Sequence, residues 1–236
     1  MPDLWTVMTK EFAELRGNRR FLWVFLFAVL AMGVLPSLTL AHHHGDFGGL
    51  GTMFLALYVP FATVIVVANT APDLVLHERV GHTLDYLLTT RLSDRAIFGA
   101  KVATASIVGY AAAMLALAVQ LVSAAILTGN GLHYLFLAQP GGRIIALGVT
   151  AGLSLYVSVI GTFVALRVGE QRAAYMVTIL SVGLLFLPFL AGWLHMSPTA
   201  AWIGHAAEWL ALIAVALGAT GLRLFRRDML VLYLQE

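Results

Sequence analysis

The sequence predicts an all-α integral membrane protein in which six transmembrane helices follow an N-terminal amphipathic helix. Of its 236 residues, 60% are hydrophobic and 11% are charged, whereas a soluble domain carries about 25% charged residues. The apolar residues fall in runs of about 20, the length needed to cross about 30 Å of hydrocarbon. These runs are continuous, which indicates helices and not the alternating strands of a barrel. We therefore expect a single transmembrane domain over residues 1–236.

The first predicted element is an amphipathic helix over residues 3–18. Its apolar residues recur at helical spacing, at Leu4, Met8, Phe12 and Leu15, and charged side chains occupy much of the remaining circumference. A helix with this pattern lies along the membrane interface and does not cross it. We expect it to form an interfacial elbow ahead of the first span.

Six apolar segments follow, each long enough to cross the bilayer. They are residues 21–41, 51–72, 97–127, 143–167, 173–194 and 207–225. With these spans, Arg143 is the only one of the 14 basic residues on its side of the membrane. The positive-inside rule then places both termini in the cytoplasm. The predicted location is the inner or plasma membrane of the cell.

Composition also excludes several classes of function. The chain has no cysteine, which excludes disulfides, thiolate metal sites and cysteine nucleophiles. Its net charge of +2 is too small to indicate a nucleic-acid partner. The longest predicted cytoplasmic loop covers only residues 73–96, so no loop can hold a separate soluble domain. Any soluble partner or energy source is therefore expected on another chain.

The loop at 73–96 contains a sequence close to a metal-binding motif. It includes His77-Glu78, as in the HExxH zinc proteases, but the next histidine is His82, five residues after the first. Those enzymes need histidines four residues apart, so that both point at one metal from one helical face. The spacing argues against a metalloprotease.

The same loop carries a short apolar stripe. Leu84, Leu87 and Leu88 are flanked by charged residues on both sides. A short surface helix with one apolar and one charged side is suited to docking a soluble partner. The alternative is a loop that packs beneath its own helix bundle.

This loop resembles a segment of a known family, the permease subunits of the type-two (ABC-2-type) ABC exporters. The similar run is Glu78-Arg79-x-x-His82-Thr83-Leu84-Asp85-x-Leu87-Leu88-x-Thr90-x-Leu92-Ser93, with Lys101 following. An amphipathic start similar to that family's is Lys10-Glu11-Phe12, ahead of Arg19-Arg20. Six spans with cytoplasmic termini also match that family's layout. Three positions depart from its usual pattern, namely Val80, His82 and Arg91.

The resemblance implies a transport subunit and not an enzyme. The sequence has no GxxxxGK[ST] phosphate-binding loop, so ATP and Mg²⁺ are expected on separate ATP-binding cassette subunits, and this chain is expected to hold no cofactor. Two copies, expected to be a homodimer in membrane lipid, would work with two ATPases. The residues expected to couple the chain to the ATPase are Lys10, Glu11, Phe12, Glu78, Arg79, Thr83, Leu84, Asp85, Leu87 and Leu88.

Polar and small residues within the spans are candidates for a translocation path. They are Asn69, Thr70, Gln120, Gly148, Gly152, Ser154, Ser158, Thr162, Thr178 and Ser181. Close helix packing and hydrogen bonds inside the bundle explain the same residues equally well. No charged residue lies near the middle of a predicted span, which favours a hydrophobic or amphipathic cargo over ion coupling.

Histidines in the predicted external loops leave other functions open. They include His42, His43, His44, His195 and His205, and imidazole beside carboxylate or thioether suits copper, zinc or nickel. Solvated loop histidines explain them as well, so no metal site is predicted. The alternative functions are a haem- or copper-related ABC permease, a membrane metalloenzyme that uses these histidines, and a membrane scaffold without an ATPase.

Overall fold

The computed structural model describes residues 2–42, 49–80, 94–128, 140–168 and 170–195, with scattered residues between 205 and 220. Regular structure in this part of the chain is helical throughout. The α-helices are α1 (Pro2–Gly17), α2 (Arg19–His42), α3 (Gly49–Val80), α4 (Asp94–Thr128), α5 (Pro140–Arg143), α6 (Thr150–Arg167) and α7 (Gln171–His195). A π-helical segment, Ile144–Val149, joins α5 to α6.

Four helices among the described residues are long and apolar enough to cross a membrane, which confirms the prediction of a helical membrane protein. They are Arg19–Thr39, Ala56–Glu78, Ala96–Leu127 and Ile144–Arg167. The fifth predicted span coincides with α7. The sixth, 207–225, lies largely outside the described residues, so the count of six stays a prediction.

Helix α3 continues to Val80, past residue 72 where the second span was predicted to end. Pro72 lies inside this helix, although a proline removes one backbone hydrogen bond. The residues that follow are held by packing, since Val75 and Leu76 are buried in a cluster with Ala165 and Ala174. The first part of the predicted cytoplasmic loop is therefore helical.

The junction between α1 and α2 is a single non-helical residue, Asn18. Its side-chain oxygen accepts hydrogen bonds from the backbone N–H groups of Arg20 at 3.0 Å and Phe21 at 3.3 Å. This is the N-cap arrangement, which satisfies two donors in the first turn of a helix. The sequence Gly17-Asn18 thus ends α1 and starts α2.

The bundle is built around α3 and α4, with α2 packed against α4 and α6 packed against α3. Small residues let these helices approach closely. A Cβ atom on Gly109 of α4 would overlap the side chain of Val67 of α3. The hydroxyl of Thr63 donates to the Gly109 carbonyl across the same contact, at 3.1 Å.

The π-helical segment changes which residues face the bundle. The Thr150 backbone N–H and its side-chain hydroxyl both donate to the carbonyl of Ile145, five residues earlier, as in a π-helix. Gly148 is exposed, whereas Gly152 is buried. These two glycines therefore do not form one packing face within the chain, although their spacing suggested it.

Candidate functional site: a buried ion-pair cluster

Three helices meet at a cluster of charged side chains near the predicted cytoplasmic end of the bundle. The Lys101 ammonium of α4 lies 2.8 Å from Glu11 Oε1 of α1 and 2.8 Å from Glu78 Oε2 of α3. Lys10 of α1 lies 2.9 Å from Glu78 Oε1 and 3.3 Å from Glu14. We call these five residues the ion-pair cluster. Glu78 is its centre, because it contacts lysines from two other helices.

The core of this cluster is removed from solvent. The side chains of Glu11, Glu78 and Lys101 are 0%, 1% and 4% exposed, whereas those of Lys10 and Glu14 are each 39% exposed. Lys101 also donates to the backbone carbonyl of Leu74 at 2.7 Å. A buried charge is stable only when it is paired and hydrogen-bonded. The cluster therefore requires α1, α3 and α4 to keep their relative positions.

The charges of the cluster are not balanced when every group is ionised. Three carboxylates face two ammonium groups, and among the described residues Glu11 Oε2 is buried without a hydrogen-bond partner. Burial raises the pKa of the Glu11 carboxyl, and the nearby Lys101 ammonium offsets this effect only in part. Burial alone would lower the pKa of Lys10, but its hydrogen bond and ion pair with Glu78 raise that pKa above its usual value.

Apolar contacts place α1 over the start of α4. Val7 and Met8 of α1 are buried together with Ala100 of α4, and Leu4 packs beside Gly99. These contacts occupy one face of α1, which also carries Glu11, while Trp5 on another face is 66% exposed. The amphipathic pattern therefore buries the apolar face of α1 against the bundle. Its position in the membrane interface stays a prediction.

A second polar cluster lies beside the first and joins α2, α3 and α7. Asp73 accepts hydrogen bonds from Asn18 at 2.9 Å and from Gln171 at 3.0 Å. Arg20 donates to the side-chain oxygen of Gln171 at 2.8 Å. A cleft of about 490 Å³ opens next to it, lined by Glu14, Leu15, Gly17, Asn18, Arg19, Asp73, Leu74 and His77. The starts of α2 and α7 are thus fixed to the same point on α3.

The structure brings together three of the residues predicted to couple the chain to an ATPase. Lys10, Glu11 and Glu78 belong to the ion-pair cluster, and Phe12 packs against the hydrophobic core. Arg79 lies in the last turn of α3. The remaining five, Thr83, Leu84, Asp85, Leu87 and Leu88, lie outside the described residues.

Sequence reasoning missed Lys101, Asp73 and Gln171 as site residues. Lys101 is one of only two lysines in the chain and is set in an apolar segment, which is an available signal for a paired, buried charge. Asp73 follows Pro72 directly, just past the predicted end of the second span. The chain gives no sequence signal that would connect Gln171 to Asp73, 98 positions earlier.

The candidate path residues mostly hydrogen-bond within the bundle. Asn69, Thr70, Ser158 and Thr178 each donate to the carbonyl four residues earlier in the same helix. Ser181 donates to the Thr178 carbonyl. Ser154 of α6 contacts Ser106 of α4 through its hydroxyl, and Gln120 and Thr162 are buried. Most of these hydrogen bonds lie within a single helix, and a role of these residues in a translocation path stays a prediction.

The candidate metal ligands are not gathered in the described part of the chain. No group of three histidine, aspartate or glutamate side chains suited to a metal occurs among the described residues. His42 is exposed at the end of α2, and His205 is exposed with Nδ1 3.3 Å from Glu208. His195 ends α7, and His43 and His44 lie outside the described residues.

Comparison with known proteins leaves the ion-pair cluster as the main guide to function. No protein-family model matches the chain, and no curated protein is significantly similar to it. The residues described above therefore carry the functional interpretation.

Proposed function

We propose that this chain is the membrane-spanning permease subunit of an ATP-driven exporter of the ABC-2 type. It would act as a dimer in the cell membrane, with both termini in the cytoplasm. Separate ATP-binding cassette subunits would bind ATP and Mg²⁺ and carry out hydrolysis. The cargo would be hydrophobic or amphipathic, because no charged residue lies near the middle of a predicted span.

The observation that carries this proposal is the connection made by Glu78. This residue opens the run that resembles the coupling segment of the family, and its carboxylate pairs with Lys10 at 2.9 Å and Lys101 at 2.8 Å. Lys10 lies in the helix that resembles the family's amphipathic start. Two segments related to ATPase coupling by resemblance are therefore in direct contact, although 68 positions separate Lys10 from Glu78.

The cluster supports a mechanical role in this proposal. A force applied to residues 81–93 reaches α3 and α4 directly, because these helices end and begin on either side of that segment. The pairs at Glu78 and Lys101 then transmit it to α1. Breaking a buried pair costs about 3–5 kcal/mol, so the three helices would move together and not separately.

The partner is tested by purifying the chain from its native membranes in mild detergent and identifying bound proteins by mass spectrometry. We expect an ATPase that contains a phosphate-binding loop, in near-equal amount. A clean preparation of the folded chain with no such ATPase would contradict the proposal.

The coupling role is tested in the purified complex with a fluorophore on α1. The chain has no cysteine, so Thr9→Cys, at an exposed position, supplies a unique label site. ATP should change the fluorescence, and Glu78→Gln should remove most of that change while ATP hydrolysis continues. Glu14→Gln, on the labelled helix α1 and 39% exposed, removes a carboxylate without breaking the contacts of Glu78 and should keep the change. An unchanged response in Glu78→Gln would show that the cluster does not transmit movement.

A further inference from the structure

The starts of α2 and α7 form an exposed basic junction. Arg19 and Arg20 begin α2, and Arg172 lies in the first turn of α7. All three side chains are exposed. The hydrogen bond from Arg20 to Gln171, at 2.8 Å, holds the two helix starts together. We call Arg19, Arg20, Gln171 and Arg172 the α2–α7 junction.

An exposed apolar stripe leads away from the junction on α2. Trp23 and Phe27 are 71% and 65% exposed, and they lie four and eight residues after Arg19. Leu26 and Leu30 are also exposed. Residues three or four apart share one face of a helix. Arg19 therefore stands at the end of a continuous apolar face.

The same pattern occurs on α7. Met176, Leu180 and Leu184 are exposed and follow Arg172 at successive intervals of four residues. Both helices begin at the junction, so both apolar stripes run away from the arginines toward the opposite side of the bundle. A cationic end joined to a long apolar face matches the chemistry of a lipid with an anionic headgroup.

We propose that the α2–α7 junction binds the phosphate headgroup of an anionic phospholipid, with the acyl chains lying along the two apolar stripes. Guanidinium groups are well suited to phosphate because they offer several N–H donors in a planar fork. Arg20 uses one nitrogen for Gln171, which orients the guanidinium and leaves it further donors. This inference does not depend on the proposed transport function.

Among the described residues, the nearby acidic groups do not cancel the positive charge of the junction. Asp73 accepts hydrogen bonds on both of its oxygens, from Asn18 and Gln171, and Glu170 is exposed just before α7. Glu14 lines the same cleft as Arg19, but it pairs with Lys10 at 3.3 Å. Three arginines therefore face the two remaining carboxylates, and Arg16 in the last turn of α1 is a further exposed cation.

A lipid is a better occupant of this surface than a second copy of the chain. A twofold contact brings the same patch of both copies together, so it would set each group of arginines against its own equivalent. An anionic headgroup instead neutralises them, while the stripes remain in contact with hydrocarbon.

The test uses Trp23 as the reporter, with the chain reconstituted in lipid nanodiscs. Brominated phosphatidylglycerol and brominated phosphatidylcholine are titrated separately, and the Trp23 signal is taken as the difference from a Trp23→Phe variant. We expect phosphatidylglycerol to quench Trp23 at a several-fold lower mole fraction. Arg19→Gln and Arg172→Gln should each reduce this preference about fivefold, as expected for one basic residue at an anionic surface.

Matched controls separate a specific site from general lipid contact. Arg143 is also exposed but lies on the predicted opposite side, so Arg143→Gln should leave the preference unchanged. Raising the salt from about 0.1 M to about 1 M shortens the Debye length from about 10 Å to about 3 Å and should weaken the preference in the native chain. If Arg19→Gln does not fold, Arg172→Gln and the salt series make the same test.

Three outcomes would overturn the proposal. Equal quenching by the two lipids would show that the surface only faces hydrocarbon. Competition by inorganic phosphate in the millimolar range would show that the apolar stripes contribute nothing. Loss of quenching by both lipids when the chain dimerises would assign the surface to a second copy.

Discussion

Two regions of this bundle hold helices together by different means. At the predicted cytoplasmic end, Glu11, Glu78 and Lys101 join three helices through buried charges. Deeper in the bundle, hydroxyl groups join helices in pairs, as between Ser37 and Ser123 at 2.6 Å. The charged contacts act over a longer range and are costly when broken. The hydroxyl contacts are each worth about 0.6 kcal/mol on average, so their main role is to accompany close packing.

This difference assigns different roles to the two regions. A network of ion pairs is either complete or strongly destabilised, because each charge depends on its partners. A hydroxyl that loses its neighbour can donate to a carbonyl of its own helix, as Ser123 does to Val119. The charged end therefore responds as a unit, whereas the interior tolerates small local changes.

The largest effect is expected from Lys101→Met, which removes the only buried cation of the cluster. Glu11 and Glu78 would be left facing each other without their shared partner, and we expect the free energy of unfolding to fall by about 3–5 kcal/mol. Urea unfolding in detergent micelles measures this. Lys10→Met, at the 39%-exposed position, is the control and should have a smaller effect. Equal effects of the two substitutions would show that burial does not determine the strength of the cluster.

A substitution in the close-packed interior should have an intermediate effect. Gly109→Ala places a methyl group into the Val67 side chain, and overpacking of this kind costs about 1–3 kcal/mol. Gly183→Ala is the matched control, since nothing lies within 4 Å of its Cβ position. The comparison is made by thermal unfolding of both variants, and a Gly109 variant as stable as the Gly183 variant would contradict the packing described for α3 and α4.

Removing one interior hydroxyl should have a smaller effect. Ser37→Ala removes the contacts with Ser123 and with the Gln120 carbonyl at 3.1 Å. We expect the free energy of unfolding to fall by about 0.6–1.7 kcal/mol. Thr39→Ala removes a hydroxyl that bonds locally, to the Pro36 carbonyl in the same helix, and should lower the free energy of unfolding less. If Ser37→Ala lowered the free energy of unfolding as much as Lys101→Met, the proposed difference in strength between hydroxyl contacts and buried ion pairs would be wrong.

The smallest effect is expected in the pH dependence of the free energy of unfolding, which tests the charged region. The pKa of Glu11 is raised in the folded chain, so the folded state binds more protons than the unfolded state above the ordinary value of 4.5. The contribution of this group to stability is therefore present below pH 4.5 and is lost as the pH rises toward the folded pKa. Glu11→Gln should flatten the dependence of the free energy of unfolding on pH in this range. If the free energy of unfolding changes with pH by the same slope in Glu11→Gln and in the native chain, another group causes the pH dependence.

The sequence predicted a helical membrane protein but not the contacts between its helices. Runs of apolar residues predict spans because the bilayer requires a fixed length of helix, and the first four predicted spans overlap the four candidate spans of the structure. The end of α3 could not be predicted, because Pro72 is a stop signal whose effect is overridden by packing around Val75. The pairing of Lys101 with Glu11 and Glu78 joins positions far apart in the chain. The position of Lys101 in an apolar segment indicates that it has a partner, but the local pattern does not identify which residue that partner is.

Asn18 is the single non-helical residue between α1 and α2, so a rotation of α1 relative to α2 would be centred there. Sixteen residues of helix form an arm of about 24 Å at 1.5 Å per residue. A rotation of about 5° at Asn18 would displace the far end by about 2 Å, and Glu11 by about 1 Å, for the same rise per residue. The contact between Glu11 and Lys101 is 2.8 Å long, so a displacement of this size away from Lys101 would lengthen it beyond hydrogen-bond distance while the two charges stayed close enough to attract each other. The angle at which α1 lies is therefore held at both ends, by the hydrogen bonds of Asn18 at its base and by the buried contacts of Glu11, Val7 and Met8 along its length.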